Sequence, residues 1–112
     1  MATVRELVKQ MQVEIRDTAV TPDRCAELLA KLTALIGNVN EEIRQADHDY
    51  AVVLLRCLEA NEAANRARIR AEITPEYGRR REARDIKELA IEMIRSLKVV
   101  LKTHQEEMRL TR

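Results

Sequence analysis

Seven arginines, Arg66, Arg68, Arg70, Arg79, Arg80, Arg81 and Arg84, fall between positions 66 and 84, against only Glu72, Glu76 and Glu82. A guanidinium presents a planar fork of donors that matches phosphate and carboxylate oxygens two at a time. The chemistry such a cluster offers is anion capture: a nucleic-acid backbone, a nucleotide, or an acidic protein surface. The candidate anion-binding residues are Arg66, Arg70, Tyr77, Arg79, Arg80, Arg81 and Arg84, with the Tyr77 ring available for stacking. The competing reading is a solvated helix tip whose arginines pair with glutamates one turn away, such as Glu76 with Arg80. Two Tyr, no Phe and no Trp leave no row of stacking aromatics for reading bases. Twenty basic residues against nineteen acidic ones give a net charge of +1, so any basic site is local rather than spread over the surface.

The carboxylates form a second candidate. Glu41 and Glu42 with Asp47 and Asp49, followed by Glu82 and Asp85, resemble the E-E-x-x-E and E-x-x-D pairs of helical magnesium-dependent nucleotide hydrolases. The third acid of that pattern is replaced by Gln45, and Glu41, Glu42, Asp47 and Asp49 lie off the apolar stripe described below. Metal-holding carboxylates of helical bundles converge on the interior. A solvated acidic face is therefore the expectation, with the hydrolase as the alternative. His48 and His104 have no second His or Cys at ligand spacing, so no zinc site is expected. Cys25 and Cys57 are seam residues, read as small hydrophobes rather than nucleophiles. No GxxxxGK[ST], GxGxxG or Ser-centred elbow is present. An all-helical chorismate mutase has similar size, but would need Arg and Lys projecting into the bundle. No catalytic residue, metal ligand or cofactor is expected.

These residues must be carried by helices. With 35% charged residues, two Gly and two Pro, the chain has the composition of long helices, and all-β, Gly-loop α/β and disordered classes are excluded. Thr21-Pro22-Asp23 and Thr74-Pro75-Glu76 repeat one signal: a hydroxyl at N-cap, Pro in the first turn and an acid facing the positive end of the helix dipole. They predict three helices, about 2–17, 22–73 and 75–110, in one domain spanning 1–112. Gly37 and Asn38 mark a kink at 37–40 as the alternative to continuity; the unbroken apolar phase favours continuity.

In the long segment, steps of four and three from Cys25 meet Leu29, Leu32, Ile36, Val39, Ile43, Ala46, Tyr50, Val53, Cys57, Ala60, Ala64, Ala67 and Ala71 without a charge. That is a seam of about seven heptads. Folding the third helix back across Thr74-Pro75 sets Cys57 against Met93, Val53 against Leu97, Tyr50 against Val100 and Ala46 against His104. Near the turn, small residues including Gly78 and Ala83 let the backbones approach. The first helix folds over Leu28, Leu32 and Ile36. The expected fold is all-α: a short N-terminal helix and a long antiparallel, coiled-coil-like hairpin.

A hairpin buries one stripe per helix. Leu54, Leu55, Leu58, Ile69, Ile94, Leu101 and Met108 fall off the seam and form a second apolar surface. Exposed apolar patches of that size mark interfaces, so a homo-oligomeric helical bundle is expected, with these residues at its interface.

The N-terminal ten residues carry Arg5, Glu6 and Lys9, which rules out a signal-peptide apolar run, and no stretch spans a bilayer. Two unpaired-looking thiols fit a reducing compartment, so a cytoplasmic protein with no membrane partner is expected. Ala67 to Tyr77 followed by an Arg/Glu-rich helix ending Ile94-Arg-Ser-Leu-Lys98 resembles small helical-hairpin accessory proteins of bacteriophages. The resemblance implies a recombination or replication helper, or an inhibitor of host defence acting in the host cytoplasm. The functional expectation is a non-enzymatic interaction protein with a protein or anionic partner. The alternative is nucleic-acid or nucleotide binding through the arginines.

Overall fold

The structure, a computed structural model, describes residues 3–60 and 63–110. It is all-helical, with no strand among the described residues. Four helices follow in order: α1 (Val4–Asp17), α2 (Pro22–Ala60), α3 (Ala64–Glu72) and α4 (Pro75–Leu110). None is long and apolar enough to cross a membrane. The chain divides into two compact units, one of Met1–Asn38 with Ile86–Arg112 and one of Val39–Asp85.

In the first unit, Thr3 caps α1: its hydroxyl accepts from the Glu6 amide at 3.2 Å. Thr21 does the same for α2, accepting from the Arg24 amide at 3.2 Å. These bonds satisfy amides that have no partner inside the helix. Helix α1 buries Val8 and is tied to α2 by a two-pronged ion pair. Arg24 Nε and Nη2 donate to the Glu14 carboxylate at 2.6 and 2.7 Å. The Arg24 hydrogen bond holds the Glu14 carboxyl below the usual carboxylate range. Cys25, Leu28 and Leu32 of α2 and Ile86, Ala90, Met93 and Leu97 of α4 form the rest of the core. The Cys25 thiol donates to the Leu97 carbonyl across 3.2 Å, and burial pushes that thiol up from its ordinary pKa.

In the second unit the core is built from small residues. Val39, Ala46, Tyr50, Ala67, Ala71 and Ala83 are its buried apolar side chains, with Tyr50 the largest. Alanines bring helices close but remove little apolar area each, so this unit has less hydrophobic stabilisation than a Leu-rich one. Tyr50 packs on Tyr77 with ring centroids 5.4 Å apart, and Asp47 meets Arg80 and Arg84. These contacts run in opposite chain directions, so α2 and α4 are antiparallel here.

The expected helix count and pairing register are both corrected. The helix expected over 22–73 is two helices, ending at Ala60 and restarting at Ala64, with Ala63 extended at φ −103°, ψ 126°. From Ala60 onward the seam consists of alanines, whose burial is too small to hold one continuous helix; positions 61 and 62 lie outside the described residues. Ala60 and Ala64 are accordingly exposed. The extra connection also shifts the register. Tyr50 meets Tyr77 rather than Val100, and Leu97 lies beside Cys25 rather than Val53.

The two Thr-Pro signals, alike in sequence, act differently. Thr74 turns its hydroxyl back to donate to the Ala71 carbonyl at 2.6 Å, closing the end of α3 instead of capping α4. Gly78 is exposed with open space where a Cβ would stand, so it serves no close approach. Helix α2 runs unbroken through Gly37.

Candidate functional site

All seven candidate anion-binding residues fall in the second unit, on α3 and the first turns of α4. The structure sorts them into two groups. Arg80 and Arg84 are structural. Arg80 Nε donates to Asp47 Oδ1 at 2.9 Å, and Arg84 Nη2 to the two Asp47 oxygens at 3.1 and 3.0 Å. Burial pushes the Asp47 carboxyl up, but the Arg84 and Arg80 hydrogen bonds outweigh it and hold the group below the ordinary aspartate value. Arg80 also lies 4.9 Å over the Tyr50 ring, a cation–π contact that fixes its plane. The solvent-facing Arg80 expected from the sequence is therefore corrected: its fork is engaged in the fold. Tyr77 is half-buried against Tyr50, which withdraws one face of its ring from stacking on a ligand.

The second group faces solvent. Arg66, Arg68, Arg70 and Arg81 are exposed and make no ion pair among the described residues. Arg79 is exposed and reaches Glu76 at 3.4 Å, so the local pair joins Glu76 to Arg79 rather than to Arg80. Sequence spacing did not foresee the role of Asp47, which lies more than thirty residues away in sequence from its two arginines. Its signal was present: among the acids flagged for metal binding, Asp47 lies next to the buried Ala46.

The other acids do not converge. Glu41 is engaged by Arg44, whose hydrogen bond holds its carboxyl low. Asp49 accepts from Gln45 at 3.0 Å, while Glu42 and Asp85 face solvent. Among the described residues, no three His, Cys, Asp or Glu side chains come together as a metal-holding group. His48 is exposed, and His104 stands 3.8 Å from Glu107 on α4.

Of the candidate interface residues, Leu54, Ile94 and Leu101 are half-buried, and Leu55, Leu58, Ile69 and Met108 are exposed. In the second unit Leu55 is 56% exposed, Leu58 42%, Ile69 59% and Ile73 81%. Leu55, Leu58, Ile69 and Ile73 thus stand outside, while Ala46, Ala67, Ala71 and Ala83 stand inside with Val39 and Tyr50. In the first unit an open groove of about 440 Å³ lies between α1 and α2, over Leu7, Met11 and Leu35. The Glu14–Arg24 pair is part of its polar lining.

Comparison with protein-family models finds no match, and neither does comparison with curated proteins or with solved structures.

Proposed function

We propose that this chain is a non-enzymatic helical interaction protein that self-associates through α2 and uses its arginine-rich α3 and early α4 for a further partner. The observation that carries the reading is the exposure of Leu55 and Leu58 in a unit whose core is built mostly from alanines. Fully burying a leucine is worth roughly 1.5–3 kcal/mol, a gain these two side chains realise only against another surface. Leu58 lies four residues from Leu54 and three from Leu55, which sets the three within about 100° of one face of α2. A second copy offering the same face satisfies both at once, the arrangement of a two-fold interface. The bundle expected from the sequence is then a property of the oligomer, and the long helices supply its layers.

The role fits an accessory or host-inhibitory factor of the bacteriophage type, working by occupancy rather than by turnover in a cytoplasm. Light scattering tests the reading. Wild type at high micromolar concentration should weigh a multiple of 12.9 kDa. The double variant Leu55→Glu, Leu58→Glu should fall to the single-chain mass with its helicity kept. A wild type that stays monomeric at that concentration removes the self-association claim.

A second reading, anion binding, is favoured by the four exposed arginines that make no ion pair among the described residues, Arg66, Arg68, Arg70 and Arg81. Such a surface raises the local potential while the whole chain stays near neutral. A nucleic acid or nucleotide held there would be released steeply by salt.

A further inference from the structure

Helix α3 is nine residues long and buries Ala67 and Ala71 completely. At 3.6 residues per turn, Ile69 lies about 200° round from Ala67, and Ile73, the C-cap residue, falls beside it one turn on. The two isoleucines thus form a ridge on the outer side of α3, the most exposed large aliphatics of the second unit. One edge of the ridge carries Arg66 and Arg70, again one turn apart. The other edge carries Arg68 with Glu72 one turn on, so its charges offset each other. The ridge therefore has a cationic edge and a nearly neutral one.

We infer that this ridge is a docking surface for an acidic amphipathic helix of a partner protein, one with carboxylates along one edge of its apolar stripe. The inference rests on the partner-binding half of the proposed function and names the partner's chemistry. Three features select this occupant. A nucleic-acid backbone would use Arg66 and Arg70 but gain nothing from two isoleucines in water. A second copy of α3 packed antiparallel would oppose two arginine edges, and packed parallel would set each against the nearly neutral Arg68–Glu72 edge, so in neither arrangement does it bring Arg66 and Arg70 the carboxylates that would neutralise them. A stripe of Leu or Ile with Glu or Asp on one side meets both the ridge and its cationic edge, as the ridge of one helix packs into the side chains of another. The surface is short, roughly 13 Å along α3, so it takes about two turns of the partner and binds transiently.

The test uses the full chain and three labelled probes read by fluorescence anisotropy at low salt. The first is a peptide of about four turns with Leu at i, i+3/i+4 and i+7 and Glu along one edge. The second has the same composition permuted to remove the stripe. The third is a short DNA duplex. The first peptide should bind, and the permuted one at least about tenfold more weakly. Ile69→Glu should abolish binding. Arg66→Gln with Arg70→Gln should weaken it by about tenfold and flatten its salt dependence. Circular dichroism of each variant verifies that α-helix content is kept; Ile69→Ser serves if Ile69→Glu unfolds. Equal binding of the two peptides, preference for the duplex, or no binding by the stripe peptide each overturns the inference. Light scattering of Ile69→Glu separates the two proposals: self-association through Leu55 and Leu58 persists whether or not the peptide binds.

Discussion

Replacing Asp47 by Asn should loosen the second unit by an amount that disappears in acid. In wild type, Asp47 receives Arg80 at 2.9 Å and Arg84 at 3.0 Å, with side chains 38% exposed for Asp47, 32% for Arg80 and 51% for Arg84. Exposed pairs measure about 0.2–1 kcal/mol each after solvent screening. Two of them, with partial retention of neutral hydrogen bonds by Asn, set the loss at about 1 kcal/mol. For a domain of this size that is a drop of roughly 4 °C in Tm. The folded-state pKa of Asp47 is depressed, so its contribution is fully present above the unfolded value of about 3.9 and is lost as pH falls through the folded value. Thermal melts followed by circular dichroism should therefore separate the two proteins at pH 7 and bring them together in strong acid, once pH has fallen through the depressed folded value. High salt should narrow the gap at pH 7. A variant indistinguishable from wild type at pH 7, or a gap that persists unchanged in strong acid, would refute the assignment of Arg80 and Arg84 as structural.

Leu32→Ala should cost about 2–5 kcal/mol in chemical denaturation, because Leu32 is completely buried in the first unit. Leu55→Ala should instead leave the dilute protein within about 0.5 kcal/mol of wild type and remove the rise of Tm with protein concentration that self-association produces. Thr21→Ala should cost about 1 kcal/mol through loss of the α2 cap, and Thr21→Asp should restore it, since a carboxylate accepts the Arg24 amide equally well. In a Cys57→Ser background, Cys25 should react with a disulfide reagent about two orders of magnitude more slowly in the folded than in the unfolded chain, because the thiol is buried and its pKa raised.

The seam was legible because it depends only on periodicity: Cys25, Leu32, Val39, Ala46, Tyr50, Ala67 and Ala71 are all buried. What periodicity does not carry is the distance a chain travels before it turns. The break before Ala64 is a matter of how little area alanines bury, and it moved the partner of Tyr50 from Val100 to Tyr77. The two Thr-Pro signals differ because a threonine hydroxyl both donates and accepts; whether it serves the helix before or after it depends on the geometry of the join. Within the arginine cluster, residue type announced an anion-binding potential, but only the fold shows that Asp47 consumes Arg80 and Arg84. What faces solvent is α3 with Arg79 and Arg81, and there Ile69, read from sequence as interface, stands with Ile73 beside the arginines rather than apart from them.

The central claim is that the outward Leu55 and Leu58 are an interface. Light scattering coupled to size exclusion, on wild type and on Leu55→Glu, Leu58→Glu at the same high micromolar concentration, tests it most directly. The account predicts a wild-type mass at an integral multiple of 12.9 kDa and a variant at 12.9 kDa with unchanged helicity. A single-chain mass for wild type, or a variant that assembles as wild type does, contradicts it.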